Sequence, residues 1–151
     1  NSAPYTIKDS SVSLIDSVTF SGKFVLTNAA SGNYYIQIKH RNSITTWSKS
    51  PGELIEAEIP KTYDFTSGQL QSFGSNSVQV DNSPLRYGIY CGDVNQNGTV
   101  DLSDVVQVFN DAGYFLQGYL NTDITGDRIV DLNDLAMTYN NGSNFVSTIT
   151  P

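Results

Sequence analysis

Cysteine is almost absent from this chain. Cys91 is the only one among 151 residues, so no disulfide can close within it. Its expected role is that of a small buried residue beside the loop that follows it, with an intermolecular disulfide as the alternative. Histidine and tryptophan also occur once each, as His40 and Trp47. No Gly-x-Ser-x-Gly, no His-Glu-x-x-His and no phosphate-cradling glycine loop is present, so the common hydrolase, zinc-protease and nucleotide motifs are missing. Basic residues are scarce, 8 against 15 acidic ones for a net charge of −7, and no basic patch favours nucleic acid as a partner. No apolar run approaches the roughly 20 residues of a membrane-spanning helix. The chain opens on Asn1 and not on Met, which suggests a processed product or a fragment, so a missing leader says nothing against export. What remains is 38% hydrophobic, with nine Tyr and seven Phe, enough for a core in one larger domain or two small ones.

The negative charge is not spread evenly. Residues 1–88 hold seven acidic and seven basic residues, whereas residues 89–151 hold eight Asp against one Arg. The whole net charge therefore sits in the second part, where carboxylates would repel one another. Their spacing supplies a reason. Asp93 to Asp104 reads Asp-Val-Asn-Gln-Asn-Gly-Thr-Val-Asp-Leu-Ser-Asp. Oxygen-bearing side chains fall at loop positions 1, 3, 5, 9 and 12, as Asp93, Asn95, Asn97, Asp101 and Asp104, with the Thr99 carbonyl at position 7 and Gly98 at the sharp turn. That is the ligand order of an EF-hand calcium loop, with Asp in place of Glu at the end. Calcium is a hard cation that takes six to eight oxygens, and a tight loop turns alternate side chains inward to supply them.

The pattern repeats 30 residues later. Asp123, Thr125, Asp127, Asp131 and Asp134 fill the same side-chain positions, and the Ile129 carbonyl fills position 7. Position 6 is Arg128, so a residue with a side chain must take a backbone conformation suited to glycine. Gly126 at position 4 relieves part of this, and Thr125 is a shorter, neutral ligand. The second site is therefore expected to bind more weakly or to use an extra water or backbone oxygen. Two Ca2+ ions would bring the charge from −7 to −3, so the second part is expected to be loose without them.

Each loop leads into an amphipathic helix. Leu102, Val105, Val106 and Phe109 sit at i, i+3, i+4 and i+7, and Leu132, Leu135, Ala136 and Tyr139 repeat the spacing. These stripes are expected to bury against each other. Asp104 and Asp134 lie in the first turns, where the helix dipole favours a carboxylate. Asn110 or Gly113 is expected to close the first helix, and Asn140-Asn141-Gly142 the second. Residues from about 91 to 142 resemble a type I dockerin, a pair of calcium loops each followed by a helix. The resemblance covers about a third of the chain and implies the ten side chains just named as ligands. Dockerins plug secreted proteins into cohesin domains. At the cohesin-reading positions this chain carries Leu102-Ser103 and Leu132-Asn133 where familiar dockerins carry a Ser-Thr-type pair.

Residues 1–88 read as all-β, rich in Ser, Thr, Tyr, Val and Ile. Tyr5-Thr6-Ile7, Val12 with Leu14, Val18 with Phe20, and Phe24 with Leu26 alternate. Tyr34, Ile36 and Ile38 form the clearest strand. Leu54, Ile55 and Ile59 suggest another, and Val78 with Val80 a short one that Pro84 breaks. The predicted fold class is mainly β with a small α part: an Ig-like β-sandwich module over 1–88, then a dockerin-like pair of EF-hand-type units with a tail over 89–151. Gly32-Asn33-Tyr34-Tyr35-Ile36, Lys39-His40-Arg41-Asn42-Ser43-Ile44 and Thr46-Trp47-Ser48 resemble modules near the C-termini of large secreted bacterial proteins. The resemblance implies further strands upstream, so the sandwich is expected to lack a strand. An open edge must be covered, and a second copy of the chain can do so by adding a strand. Two donors are available, the arm Ser2 to Leu14 and the tail Phe145 to Thr150. The alternative is that both fold back onto their own domain.

Other candidate sites are weaker. His40, between Lys39 and Arg41, has no nucleophile motif around it and is expected to bond to backbone. Glu53, Glu56 and Glu58 share one charged segment and do not face one another across a cleft as a glycosidase pair would. Trp47, Tyr34 and Tyr35 could stack on a sugar, but core or sheet surface is the commoner use. Asn97-Gly98-Thr99 and Asn141-Gly142-Ser143 match glycosylation acceptors, although Asn97 is better placed as a ligand. The sequence thus predicts a non-enzymatic, calcium-stabilised subunit of a bacterial cell-surface or extracellular assembly, self-associating head to tail into a fibre. The alternatives are an adaptor for a cohesin-like surface protein, a polysaccharide-binding module, and the tail of a larger secreted enzyme.

Overall fold

The computed structural model describes residues 5–151. Among the described residues six short strands form three antiparallel pairs, and two α-helices follow, so by its elements this part of the chain is mostly β with a little α. Strand β1 (Gly32–Tyr34) pairs with β4 (Glu53–Ile55), β2 (Gln37–Ile38) with β3 (Thr46–Trp47), and β5 (Val78–Asn82) with β6 (Leu85–Gly88). The predicted strand through Tyr34, Ile36 and Ile38 is real but interrupted, because Ile36 turns its carbonyl to Ser48 and its amide to the Ser48 hydroxyl. The predicted Leu54 strand stops at Ile55, and Ile59 lies beyond it. Pro84 lies in the turn of the β5–β6 hairpin, where its missing amide costs no ladder bond.

The alternating stretch from Tyr5 to Leu26 forms no strand. Its apolar side chains face solvent: Val12 is 100% exposed and Leu14 is 91% exposed. Two residues are anchored: Tyr5 lies edge-on to Tyr35 at 5.3 Å and tilted beside Trp47 at 6.4 Å, and Asp9 Oδ2 accepts from Asn28 N at 2.6 Å. Of the arm considered as a donor, Ser2 to Pro4 fall outside the described residues.

Helix α1 spans Leu102–Gly113 and α2 spans Leu132–Ser143, each of 12 residues, in the predicted places. Asn110, Asn140, Asn141 and Gly142 are interior residues, whereas Gly113, the other terminator expected for α1, is its last residue. Phe115 (φ 49°) and Phe145 (φ 48°), two residues past the respective helix ends, take the left-handed conformation. The buried face also differs from the expected one. Asp104, Val108 and Ala112 are buried on α1, and Asp134, Thr138 and Gly142 on α2. Leu102, Val106, Phe109, Leu132 and Tyr139 are exposed. The cause is steric and electrostatic. The twelfth loop residue must point back into its loop, which fixes the rotation of the helix, and small residues at 112 and 142 permit close approach. Gly142 shows this directly: an added Cβ would lie 3.3 Å from Val105 Cγ2 and 3.6 Å from the Asp101 carbonyl. Val94, Val108, Ala112 and Val130 form the core, with Leu120, Ile124 and Leu135 packed against it.

Candidate metal centre

The two predicted loops are organised alike, and each closes on the stretch that follows the other helix. In the first, the Val100 amide donates to the Val146 carbonyl at 2.7 Å and the Thr148 amide to the Gly98 carbonyl at 2.7 Å. In the second, the Val130 amide donates to Leu116 at 2.8 Å and the Gly118 amide to Arg128 at 3.0 Å. Thr99 bridges Ser147, and Ile129 bridges Gln117. Every partner in one set is 30 residues from its counterpart in the other. The tail considered as a strand donor is therefore engaged by its own chain, through Val146, Ser147 and Thr148. Asn76 Nδ2 also donates to the Ser147 carbonyl at 2.9 Å.

Inside the loops the carboxylates collect main-chain amides. Asp93 Oδ1 accepts from Asn97 N and Oδ2 from Gly98 N, both at 3.0 Å. Asp104 Oδ1 accepts from Val94 N at 2.9 Å and Asn95 N at 3.2 Å, while its Oδ2 accepts from Asp101 N at 3.0 Å. Asp123 and Asp134 repeat this. Asp123 takes Gly126 N at 2.8 Å and Arg128 N at 3.2 Å. Asp134 takes Ile124 N, Thr125 N and Asp131 N, each at 2.8 Å. The side chains of Asn95, Asn97 and Asp127 each accept the amide two residues on, at 2.9 Å. Asp101 and Asp131 double as N-caps, accepting from Ser103 and Asn133 at 2.7 Å, and each forms a capping box with the carboxylate three residues later. The ninth and twelfth loop positions thus shape the helix start as well as the loop. Arg128 adopts φ 73°, as its place at position 6 demands, where Gly98 has φ 93°.

Burial sets the electrostatics. Asp93, Asp104, Asp123 and Asp134 are each at most 2% exposed. Burial raises the Asp93 carboxyl above its ordinary value, the amides of Gly98 and Asn97 oppose that, and the nearby Asp104 charge reinforces it. Asp101, at the exposed rim, is held low by the Ser103 hydroxyl and amide. Among the described residues no group of three or more His, Cys, Asp or Glu side chains assembles to hold a metal ion, and the carboxylates are turned to amides instead. The donor chemistry nevertheless fits calcium. Each loop offers oxygens alone, from Asp, Asn, Thr and main chain, with no nitrogen or sulfur ligand, and two enclosed carboxylates that a hard cation would neutralise.

The other sequence candidates are placed elsewhere. His40 Nδ1 meets Asn42 Oδ1 at 2.9 Å, a side-chain contact where a backbone one was expected. Burial, then the neighbouring Arg41 charge, lowers its pKa below the ordinary value. Glu53 is held by Lys61 at 2.9 Å and Lys49 at 3.8 Å. Trp47 and Tyr35 meet edge-on at 6.4 Å, and Tyr35 meets Phe73 at 5.8 Å, an interlocked cluster and not a flat platform. Cys91 is partly buried, and burial raises its thiol pKa; its carbonyl accepts from Asn141 Nδ2 at 2.8 Å.

Sequence reasoning missed the segment Arg41 to Ser48. Asn42, Ser43, Ile44, Thr46 and Ser48 are all buried, the last at 0% exposure. The Asn42 carbonyl accepts from Gly92 N at 2.6 Å, Ile44 N donates to the Tyr90 carbonyl at 3.1 Å, and Gln96 Nε2 donates to the Ser43 carbonyl at 3.3 Å. No spacing rule announces a contact across some 50 residues, although the run of small polar residues around one isoleucine is compatible with it. No helix among the described residues is long and apolar enough to cross a membrane. No protein-family model, curated protein or solved structure matches the chain.

Proposed function

We propose that the chain is a secreted, calcium-stabilised structural subunit that joins copies of itself head to tail by strand addition, on a cell surface or in an extracellular fibre. In this reading Asp93, Asn95, Asn97, Thr99, Asp101 and Asp104 hold one Ca2+, and Asp123, Thr125, Asp127, Ile129, Asp131 and Asp134 hold a second. The ions neutralise the enclosed carboxylates and stiffen a dockerin-like unit. The preceding region is a sandwich completed only in the assembly. No residue has a catalytic role.

The observation that carries the assembly reading is the exposed arm. Val12 and Leu14 are 100% and 91% exposed on a segment without strand pairing of its own. Such a segment is costly to leave in water and suits a donor, whereas the tail is already paired. Both edges of a two-stranded sheet are open to an incoming strand unless something covers them, and β5 is exposed along its whole length. Light scattering and electron microscopy of the full chain test this. Assembly in calcium is expected for the native sequence and absent for Val12→Asp/Leu14→Asp. Assembly unaffected by those two charges would overturn the arm as donor.

One observation favours a second reading. The apolar stripes expected to pack together instead line an open groove formed by Val105, Val106, Phe109, Leu132, Leu135, Ala136 and Tyr139. A dockerin-like adaptor would offer such a face to a cohesin-like partner. Loss of partner capture in Phe109→Ser, with assembly intact, would distinguish this reading from the first.

A further inference from the structure

The two loops differ in their countercharges. The first contains Asp93, Asp101 and Asp104, and no ion pair among the described residues reaches it. The second contains four Asp but carries Arg128 within it and meets Arg41 from the β-rich part. Arg41 is built into the entry of this loop. Its Nε donates to the Leu120 carbonyl at 2.9 Å and its Nη2 to the Asp123 carbonyl at 2.8 Å, with Asp123 Oδ2 at 3.4 Å. The guanidinium lies over the Tyr119 ring, 4.1 Å from its centre. Asn42 Nδ2 adds a bond to the same Asp123 carbonyl at 2.8 Å. The matching entry to the first loop is held, among the described residues, by main-chain and side-chain amide contacts, from Gly92 to Asn42, from Ile44 to Tyr90 and from Gln96 to Asp93 and Ser43, and no guanidinium joins them.

We propose that Arg41 is a resident cation and clasp for the second loop, keeping it folded and docked on Arg41 and Asn42 without metal, so that the response to calcium is concentrated in the first loop. This rests on the calcium reading given above. A guanidinium that bonds two carbonyls and a carboxylate, itself only 15% exposed, supplies at Asp123 part of the neutralisation that the first loop can obtain only from a bound ion. The tail segment Val146–Thr148, which pairs with the first loop, shares that dependence. The second loop's partner, Leu116–Gly118, does not.

Hydrogen–deuterium exchange of the full chain, in calcium and in chelator, tests the proposal. Chelation is expected to speed exchange about tenfold or more at 94–100 and 146–148, with little change at 124–130. In Arg41→Gln, chelation is expected to release 124–130 as well, and calcium to restore it, which shows that the variant still folds. Arg41→Lys keeps the charge but not the two carbonyl bonds, and is expected to fall between. Equal release of both loops by chelation in the native chain, or an Arg41→Gln pattern identical to the native one, would overturn the clasp while leaving calcium binding standing. No response to chelation at either loop would overturn the calcium reading and the clasp with it.

Discussion

Between Ile7 and Leu26 lie nine large apolar side chains, every one at least 44% exposed. Between Val94 and Val130, four valines (Val94, Val100, Val108 and Val130) are at most 1% exposed. Hydrophobic content alone therefore does not produce a core in this chain. In the later region two loops, two helices and two connecting stretches satisfy one another's backbone groups, and that closure creates an inside. In the earlier region the chain has apolar side chains but no partner strands of its own. The contrast separates a part that organises itself from a part whose apolar side chains are left facing solvent.

The strongest way to break this contrast is to remove calcium. The later region is expected to lose about 3 kcal/mol or more at chelator excess, roughly 10 °C in melting midpoint by circular dichroism. An unchanged midpoint would mean that the enclosed carboxylates need no ion. Next comes Val108→Ala, which opens a void in the four-residue core and should cost about 2 kcal/mol by denaturant titration. Gly92→Ala tests the junction. Its φ of 109° suits glycine, and an added Cβ would sit 2.9 Å from Val100 Cγ1 and 3.3 Å from Thr138 Cα, so a loss of about 1–2 kcal/mol is expected.

A smaller effect concerns pH. His40 has a lowered pKa in the folded chain, so the unfolded chain takes up the proton first. Stability is fully present above the ordinary histidine value of about 6.5 and is lost as pH falls from there to the lowered folded value. Arg41 faces the ring, with Nη1 at 3.4 Å from Nε2, so protonation also sets two cations together beside the clasp. Thermal melts across this range should slope downward in the native chain and flatten in His40→Gln. Val12→Ser is the smallest case. At 100% exposure it should shift monomer stability by less than about 0.5 kcal/mol, and a larger loss would show that the arm packs on its own chain.

What the sequence disclosed follows from the range of each interaction. Loop turns, caps and helix starts are decided within a dozen residues, and the 30-residue repeat displayed them twice, from Asp93 to Asp104 and from Asp123 to Asp134. The helix faces were misread because size was weighed without rotation. Phe109 and Tyr139 outrank Ala112 and Gly142 in hydrophobicity, yet the inward aspartates at 104 and 134 fix which side is enclosed. Strands fared worse, because alternation at Val12, Leu14, Val18 and Phe20 records a capacity to pair and not the presence of a partner. The Arg41 contact with Asp123 was invisible, since it joins residues 82 apart.

The crosswise closure of the loops also orders events during synthesis. Loop two meets Leu116–Gly118, which emerges before it, so that unit can close as soon as Asp134 is free. Loop one must wait for Val146 to Thr148, long after its own aspartates have appeared. The nascent chain therefore carries a half-closed first loop until Val146 to Thr148 emerge, and a premature stop just after α2 would leave the earlier loop, not the later one, permanently ajar.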